Sequence, residues 1–450
     1  MIFKKKKNAP EQKEESIESK ETRKNSEPLE NTDSVTFAEQ TESAEDIEKI
    51  QGDEANESAE ANESTEALTE SADSKENNTK KKKKKSEPAE KKKVPLFSKI
   101  LLVIAGISLI FYIIFLNSPT VADFFNKYVS SVIRAILSYL TTWIPFSLAE
   151  MLLILVPVIV VLVVGIGIKK YSSSWRNVGV FCVIMLSIAS YVFTTFTFGF
   201  VPAYHGSTLD KKMNLDKQLV TTQQLYDTGK ILSTALNEES EYIIFNGEGS
   251  SVMPYGYNEL NDKLMTAYEK ACEKYDFISP LHSNIKEIML SKPMTYTHIS
   301  GVYTFFTGEA NINVNFPDYV LPYTAAHEFA HQRGIAREDE ANFVAFLVCM
   351  ESDDHYIRYS AYLNLYEYVS NALYSESPKK AAKLYQSLPK GVQGEMSAYH
   401  EFFDEYEENV VSNVSGAINN GYQIINGVKE GSKSYGMVVD LAVAYYKSAK

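Results

Sequence analysis

The segment Ala325 to Leu347, AAHEFAHQRGIAREDEANFVAFL, contains His327-Glu328-x-x-His331. On a helix, residues four apart stand one turn apart on the same face, so both imidazoles can reach one ion at about 2.0–2.1 Å. Glu328 then lies beside the ion rather than on it. That is the arrangement a zinc hydrolase needs, because a bound metal lowers the pKa of its water and a nearby carboxylate takes the proton as the water attacks a carbonyl carbon.

The surroundings favour a site over two incidental histidines. Ala325, Ala326, Phe329 and Ala330 are small or apolar, which predicts a buried helix on which two His and a Glu are costly unless used. Gly334, three residues past His331, is a natural helix stop, and a second helix carrying Phe343, Val344, Phe346 and Leu347 begins just after it. The turn brings three oxygen donors back toward the metal: Glu338, Asp339 and Glu340. Glu338 is favoured as third ligand because Asn342, four residues on, shares its face and can hydrogen-bond a ligand histidine. Glu340 is the rival. Arg337 occupies the position where a HExxHxxGxxH site places its third His, and a guanidinium cannot bind a cation.

The rest of the chain must position these groups. It has 450 residues, 44% hydrophobic, with a net charge of -13. That balance argues against a surface built to hold nucleic acid, and no nucleic-acid partner is expected. Three cysteines, Cys182, Cys272 and Cys349, suit neither a disulfide-dense module nor a Cys-rich zinc ribbon. Any metal site must therefore use His and carboxylate.

Three domains are expected. Residues 1–95 are rich in Glu, Lys, Ser, Asn and Thr and too poor in large apolar groups to offset their ordering entropy, which predicts a disordered charged tail. Residues 96–201 form a transmembrane region. Its spans run at about 100–116, 148–168 and 178–201, the second interrupted by Pro157 and carrying Glu150 near one end. Val121, Phe125, Tyr128, Val129, Val132, Ile136 and Leu140 recur at helical spacing with Lys127 and Arg134 among them, which suits an amphipathic helix at about 121–142 lying in the interface or packed on the spans. Lys80–Lys85 and Lys91–Lys93 precede the first span, and Lys169, Lys170 and Arg176 lie between the second and third. Positive charge marks the cytoplasmic side, so the expected protein is multi-pass in the cell membrane, its tail cytoplasmic and residues 202–450 extracytoplasmic. A crossing by 121–142 would reverse that side.

Residues 202–450 are long enough for a core and a cleft. Amphipathic stretches are expected around 217–236, 258–275, 323–333, 338–352, 356–375 and 434–449, and strand-like alternation around 240–246 and 299–315. The predicted fold is mainly α with a small β element: transmembrane helices followed by an α+β domain.

The segments GVYTFFTGEANINVNFPDYVLPYTAAHEFAHQRGIAREDEANFVAFL, Gly301 to Leu347, and RYSAYL, Arg358 to Leu363, resemble a family of bacterial membrane proteins of unknown function in which membrane helices precede a zincin-like domain. The resemblance covers about residues 96–450. More distantly, HExxH followed by E-x-x-A-N is similar to gluzincin peptidases. It implies His327, His331 and Glu338 as metal ligands, Glu328 as general base, and one Zn2+ per chain. The gap from His331 to Glu338 is shorter than is usual there, and Asn342 stands where many have Asp.

Zincins hold an extended peptide along an edge strand upstream of the metal helix. Thr307 to Asn315 alternates, so Glu309, Asn311 and Asn313 are candidates to line the cleft. Tyr359 and Tyr362 are candidate phenols for an oxyanion. Cys349 is expected in the core, and His205, His282, His298, His355 and His400 lack ligand spacing. The expected activity is a membrane-anchored zinc metalloendopeptidase, with the lipid bilayer and a peptide or protein substrate as partners. The competing expectation is a non-enzymatic membrane receptor or scaffold with a structural metal. An intramembrane protease is disfavoured, since HEFAH lies in no apolar span.

Overall fold

The computed structural model describes residues 91–247 and 249–448. The expected tail falls almost wholly on residues 1–90, outside the described residues.

Helix α1 (Leu96–Asn117) is apolar along its length, and a short α2 (Pro119–Phe125) leads through a wide π turn at Asn126–Ser130 into α3 (Ser131–Thr142). Helices α4 (Leu148–Tyr171) and α5 (Trp175–Gly199) form an apolar hairpin. Ser147 and Ser174 cap them, accepting from the backbone N–H groups of Glu150 and Asn177. With α1, they are three helices long and apolar enough to cross a membrane. Helix α1 packs parallel to α5: the Lys92 N–H donates to Asn177, Ser187 to Ser98, and Ser108 to Thr194. Pro157 lies inside α4 without ending it.

Short helices α6 (Val201–His205) and α7 (Leu209–Lys212) lead into the C-terminal domain. There α8 (Thr222–Ser240), opened by a Thr221/Gln224 capping box, and α9 (Tyr257–Lys274) precede strand β1 (Ile285–Glu287) and the short α10 (Ser291–Thr295). Strands β2 (Gly301–Thr304) and β3 (Glu309–Ile312) follow. Then come α11 (Val320–Gln332), α12 (Glu338–Met350), α13 (His355–Glu376), α14 (Pro378–Gln386), α15 (Lys390–Asp404), α16 (Val410–Ile425) and α17 (Val438–Ser448). The fold is thus mainly helical with one small sheet.

The sheet order is β1-β3-β2, with β1 parallel and β2 antiparallel to β3. Its central strand β3 lies against α11, and every residue of α11 is buried. Helices α9, α12, α13 and α17 complete one core around Phe329, Phe343, Phe346, Leu363 and Tyr366. Cys349 is buried there, as expected. The six expected helices form within a few residues of their predicted bounds. The alternation at 240–246 yields only an isolated bridge between Phe245 and Ser251, whereas β1 and helices α14, α15 and α16 carried no sequence signal that was read.

Helix α3 reverses the usual amphipathic arrangement. Its polar stripe, Arg134, Ser138 and Thr141, is buried together with Ser130 in the turn before it, and Val132, Ile136, Tyr139, Leu140 and, just past its end, Trp143 are exposed. The polar stripe is held by the C-terminal domain. Gln332 donates to the Ser138 hydroxyl at 3.1 Å, and Asn126 donates to the Gly334 carbonyl at 2.9 Å. Helix α4 is tied down reciprocally. Glu309 of β3 accepts from the N–H groups of Leu148 and Ala149 at 3.0 and 2.9 Å, while Glu150 accepts from those of Met289 and Leu290 at 2.9 and 2.8 Å. Each carboxylate satisfies backbone donors that would otherwise be left open, and Glu309 does so at a helix N-terminus, where negative charge is favoured.

Candidate metal centre

Helix α11 ends at Gly334, which takes the left-handed conformation (φ +88°) that glycine adopts without strain. The chain turns through Ile335 and Ala336 and re-enters helix at Glu338. Helix α12 opens with Glu338, Asp339 and Glu340 in its first turn, where the helix dipole favours negative charge.

The turn brings His327, His331 and Glu338 together: one donor atom from each lies within 4.8 Å of the others, and all three residues are buried. Glu338 Oε2 stands 3.1 Å from His327 Nε2 and 3.3 Å from His331 Nε2. Donors at 2.0–2.1 Å around one tetrahedral ion lie about 3.3 Å apart, so the spacing of Glu338 to each histidine is one that a shared metal ion could take. The Nδ1–H of His331 donates to the Ile335 carbonyl at 2.7 Å, so in the neutral ring the lone pair would sit on Nε2, the nitrogen that faces Glu338.

The three carboxylates of the α12 first turn divide their work. Glu340 accepts from the Leu209 N–H at 2.9 Å, and it and Asp339 each lie 3.5 Å from the Arg337 guanidinium. Asp339 also faces Lys217 at 3.9 Å. The cluster thus contains Glu338 and not its rival Glu340. Asn342 lies near enough to His327 to favour its charged ring. His327 Nδ1 nevertheless completes no hydrogen bond, and the Asn342 amide nitrogen donates instead to Tyr368 at 3.4 Å.

The charges are strongly coupled. Burial alone would depress the His331 imidazolium, but the Glu338 carboxylate beside it pushes its pKa up to about 9. Burial would raise Glu338, but the two imidazoles hold it well below the usual carboxylate range. Glu328 has no such partner: burial, reinforced by Glu338 and opposed by His331, pushes its pKa up to about 8. Its Oε2 is buried with no hydrogen-bond partner. The carboxylate sits against Gly301 of β2, where an added Cβ would fall 2.6 Å from Glu328 Oε1 and 2.7 Å from Thr324 Cγ2. A glycine there leaves room for this side chain.

The expected cleft residues lie elsewhere. Strand β3 is central, paired on both sides, so it offers no free edge. Glu309 caps α4, Asn311 donates to the Val302 carbonyl at 3.0 Å, and Asn313 donates to Thr295 and to the Ile299 carbonyl at 3.1 and 3.2 Å. All three are buried. The two outer strands, β1 and β2, are the edges, and β2 is the one that reaches Glu328. The Asn313 N–H donates to the Ser300 carbonyl at 2.8 Å, so alternate residues Gly301 and Tyr303 turn their backbone groups away from β3, and the Tyr303 N–H faces Glu328. Tyr359 donates to Glu395 at 2.9 Å and Tyr362 packs edge-on against Phe346. Tyr422 of α16 is instead close enough to Glu338 to respond to its charge.

Arg134, marked in the sequence only as a charge within the apolar stripe at 121–142, has a structural role. It is fully buried and donates to the carbonyls of Gly199, at the end of α5, and Arg333, at the end of α11, at 3.0 and 3.4 Å. The available signal was a lone arginine inside an apolar stripe. Beside it, Phe200, Tyr204 and Tyr303 pack on Ala336, so the end of α5 abuts the turn between the two helices that carry the His–His–Glu cluster.

No curated protein and no solved structure matches the chain. A family model described as a protein of unknown function (DUF3810) matches residues 125–443, from the end of α2 through both hairpin helices and the whole His–His–Glu cluster into α17. The match spans more than half of the chain, leaving α1 outside it, and the chain belongs to the DUF3810 family.

Proposed function

We propose that this protein is a membrane-anchored zinc metallopeptidase with a zincin-like catalytic domain. The observation that carries the proposal is an arrangement of three donors with a separate carboxylate beside them. Among the described residues the cluster offers His327, His331 and Glu338, and the unpartnered Oε2 of Glu328 is buried nearby. Three protein donors leave a coordination position open, as in catalytic zinc sites, whereas structural sites close with four.

A bound zinc would supply a water of lowered pKa and a Lewis acid for a carbonyl oxygen. The chain's own groups do the rest. His331 is held in its ligating tautomer by Ile335, and Glu338 by its two imidazole neighbours. Glu328 Oε2 takes a proton from the water as its oxygen adds to the carbonyl carbon, and returns it to the leaving amine nitrogen as the C–N bond breaks. A peptide added as an extended strand along the open edge of β2 would pass beside Glu328, which supports a polypeptide substrate.

The contacts of α2 and α3 with the C-terminal domain support a three-pass topology in which the 121–142 segment stays on the domain's side. With the Lys-rich stretch before α1 and the basic loop at 169–176 on the cytoplasmic face, the catalytic domain is extracytoplasmic. The test is hydrolysis of a quenched-fluorescent peptide mixture by the full chain in nanodiscs. Turnover abolished by chelator and restored by zinc is expected, and chelator-insensitive or absent turnover in metal-loaded protein contradicts it.

A further inference from the structure

Helix α16, VVSNVSGAINNGYQII, contains no Asp, Glu, Lys or Arg. Val411, Val414, Ile418 and Ile425 share one face at helical spacing and are exposed, Ile418 at 67% and Ile425 at 74%. Its buried side carries Ser412 and Gln423. A helix on a water-facing surface has the opposite arrangement, and an apolar patch of this kind marks a partner surface.

The position of α16 identifies the partner. Tyr422 lies 6.2 Å, ring to ring, from Phe196 in the last turn of α5, and 6.1 Å from Tyr204 just beyond it. Phe196 also packs on Phe305 of the β2–β3 hairpin at 5.0 Å, and the neighbouring Phe306 is exposed. Helix α3, joined to the same ends of α1 and α4, shows the same polar-inside, apolar-outside reversal, with Tyr139 and Trp143 outermost. Amphipathic aromatics of this kind concentrate at membrane interfaces. The α16 face is therefore continuous with the lipid-facing ends of the candidate spans. Sixteen residues of helix measure about 24 Å, too short to cross about 30 Å of hydrocarbon but suited to lying on it.

We propose that α16 is a membrane-docking helix that lies in the lipid–water interface with its Val411–Val414–Ile418–Ile425 face in contact with lipid. Through Tyr422, which packs on Phe196 and Tyr204 at the end of α5, and through the aromatic wall on Ala336, it sets the candidate metal cluster at the bilayer surface. The substrate class is then a polypeptide segment anchored in or held against that surface. The substrate half rests on the hydrolytic reading; the lipid contact does not.

The test uses the full chain with Cys182→Ser and Cys272→Ser, carrying a bimane label at Ile418→Cys or, as aqueous reference, at exposed Ser375→Cys. In phosphatidylcholine nanodiscs with brominated acyl chains, the label at 418 is expected to be quenched several-fold more than the label at 375 and to be shielded from aqueous iodide. Iodide access at 418 equal to that at 375, or disulfide crosslinking of 418 between two copies without bromolipid quenching, would overturn the proposal. For the substrate half, Val414→Glu with Ile418→Glu should lower cleavage of palmitoylated peptides at least tenfold while the unacylated peptides are cleaved at the wild-type rate. Equal effects on both forms contradict it. If wild type cleaves neither form, the hydrolytic reading and the substrate half fail together, and the quenching result still decides the lipid contact.

Discussion

The Arg134 guanidinium, on α3, donates to the carbonyl oxygen of Arg333 at the end of α11, the helix of the two clustered histidines, at 3.4 Å. The same group closes the end of α5 through Gly199, so one buried side chain ties a candidate membrane span to the helix that carries HExxH. Helix C-termini favour a cation, and a planar guanidinium can serve two carbonyls at once.

Arg134→Ala should therefore cost on the order of 2–4 kcal/mol, because it leaves two helix ends with open carbonyls in a buried setting. Arg134→Lys should recover only part of this. Thermal unfolding of the full chain in detergent measures both, and a wild-type midpoint in Arg134→Ala would remove the argument.

Gly301→Ala tests the packing around the proposed base. The new Cβ would meet Glu328 Oε1 at 2.6 Å, so the carboxylate must move while His327, His331 and Glu338 are untouched. Metal content should stay at the wild-type level and peptide hydrolysis should fall at least tenfold; undiminished hydrolysis would show that Glu328 is not held against β2.

Glu328→Gln separates binding from chemistry. The amide keeps the shape and cannot accept the proton, so turnover should fall by roughly 10²–10⁴ with metal retained. Turnover near the wild-type rate would exclude Glu328 as the base.

Glu367 carries a pH dependence away from the metal. Burial, reinforced by Glu395 and opposed by the Tyr319 hydroxyl that donates to it at 3.2 Å, pushes its carboxyl up to about 8. The folded chain thus holds a proton that the unfolded chain releases near its ordinary pKa of 4.5. The stability this group contributes is full below 4.5 and is lost as pH rises through 8. Glu367→Gln cannot ionise, so it should unfold at a higher temperature than wild type at pH 8.5 and at nearly the same temperature at pH 5. An equal difference at both pH values would contradict a raised pKa.

The His–His–Glu cluster was legible because its signals are local. A four-residue His spacing, a glycine stop and an acidic first turn each act within one helical turn, and Asn342 marked the face of Glu338. The three apolar helices were legible from length and charge alone. The cleft was not, since alternation at 307–315 reveals a strand but not its neighbours: β1, only three residues long, pairs with β3 and turns a supposed edge into the centre. Arg134 and Glu309 escaped for a related reason, as their partners lie 199 and about 160 residues away along the chain. Helix α16 carries its apolar residues outward, so a pattern read as core-facing amphipathicity does not find it.

The most direct test of the account is metal content of the purified full chain by plasma mass spectrometry, comparing wild type with His327→Ala, His331→Ala, Glu338→Ala and Glu340→Ala. The account predicts one zinc per wild-type chain, lost in the first three variants and kept in Glu340→Ala. Folded wild-type protein without metal, or zinc retained in Glu338→Ala, would contradict it.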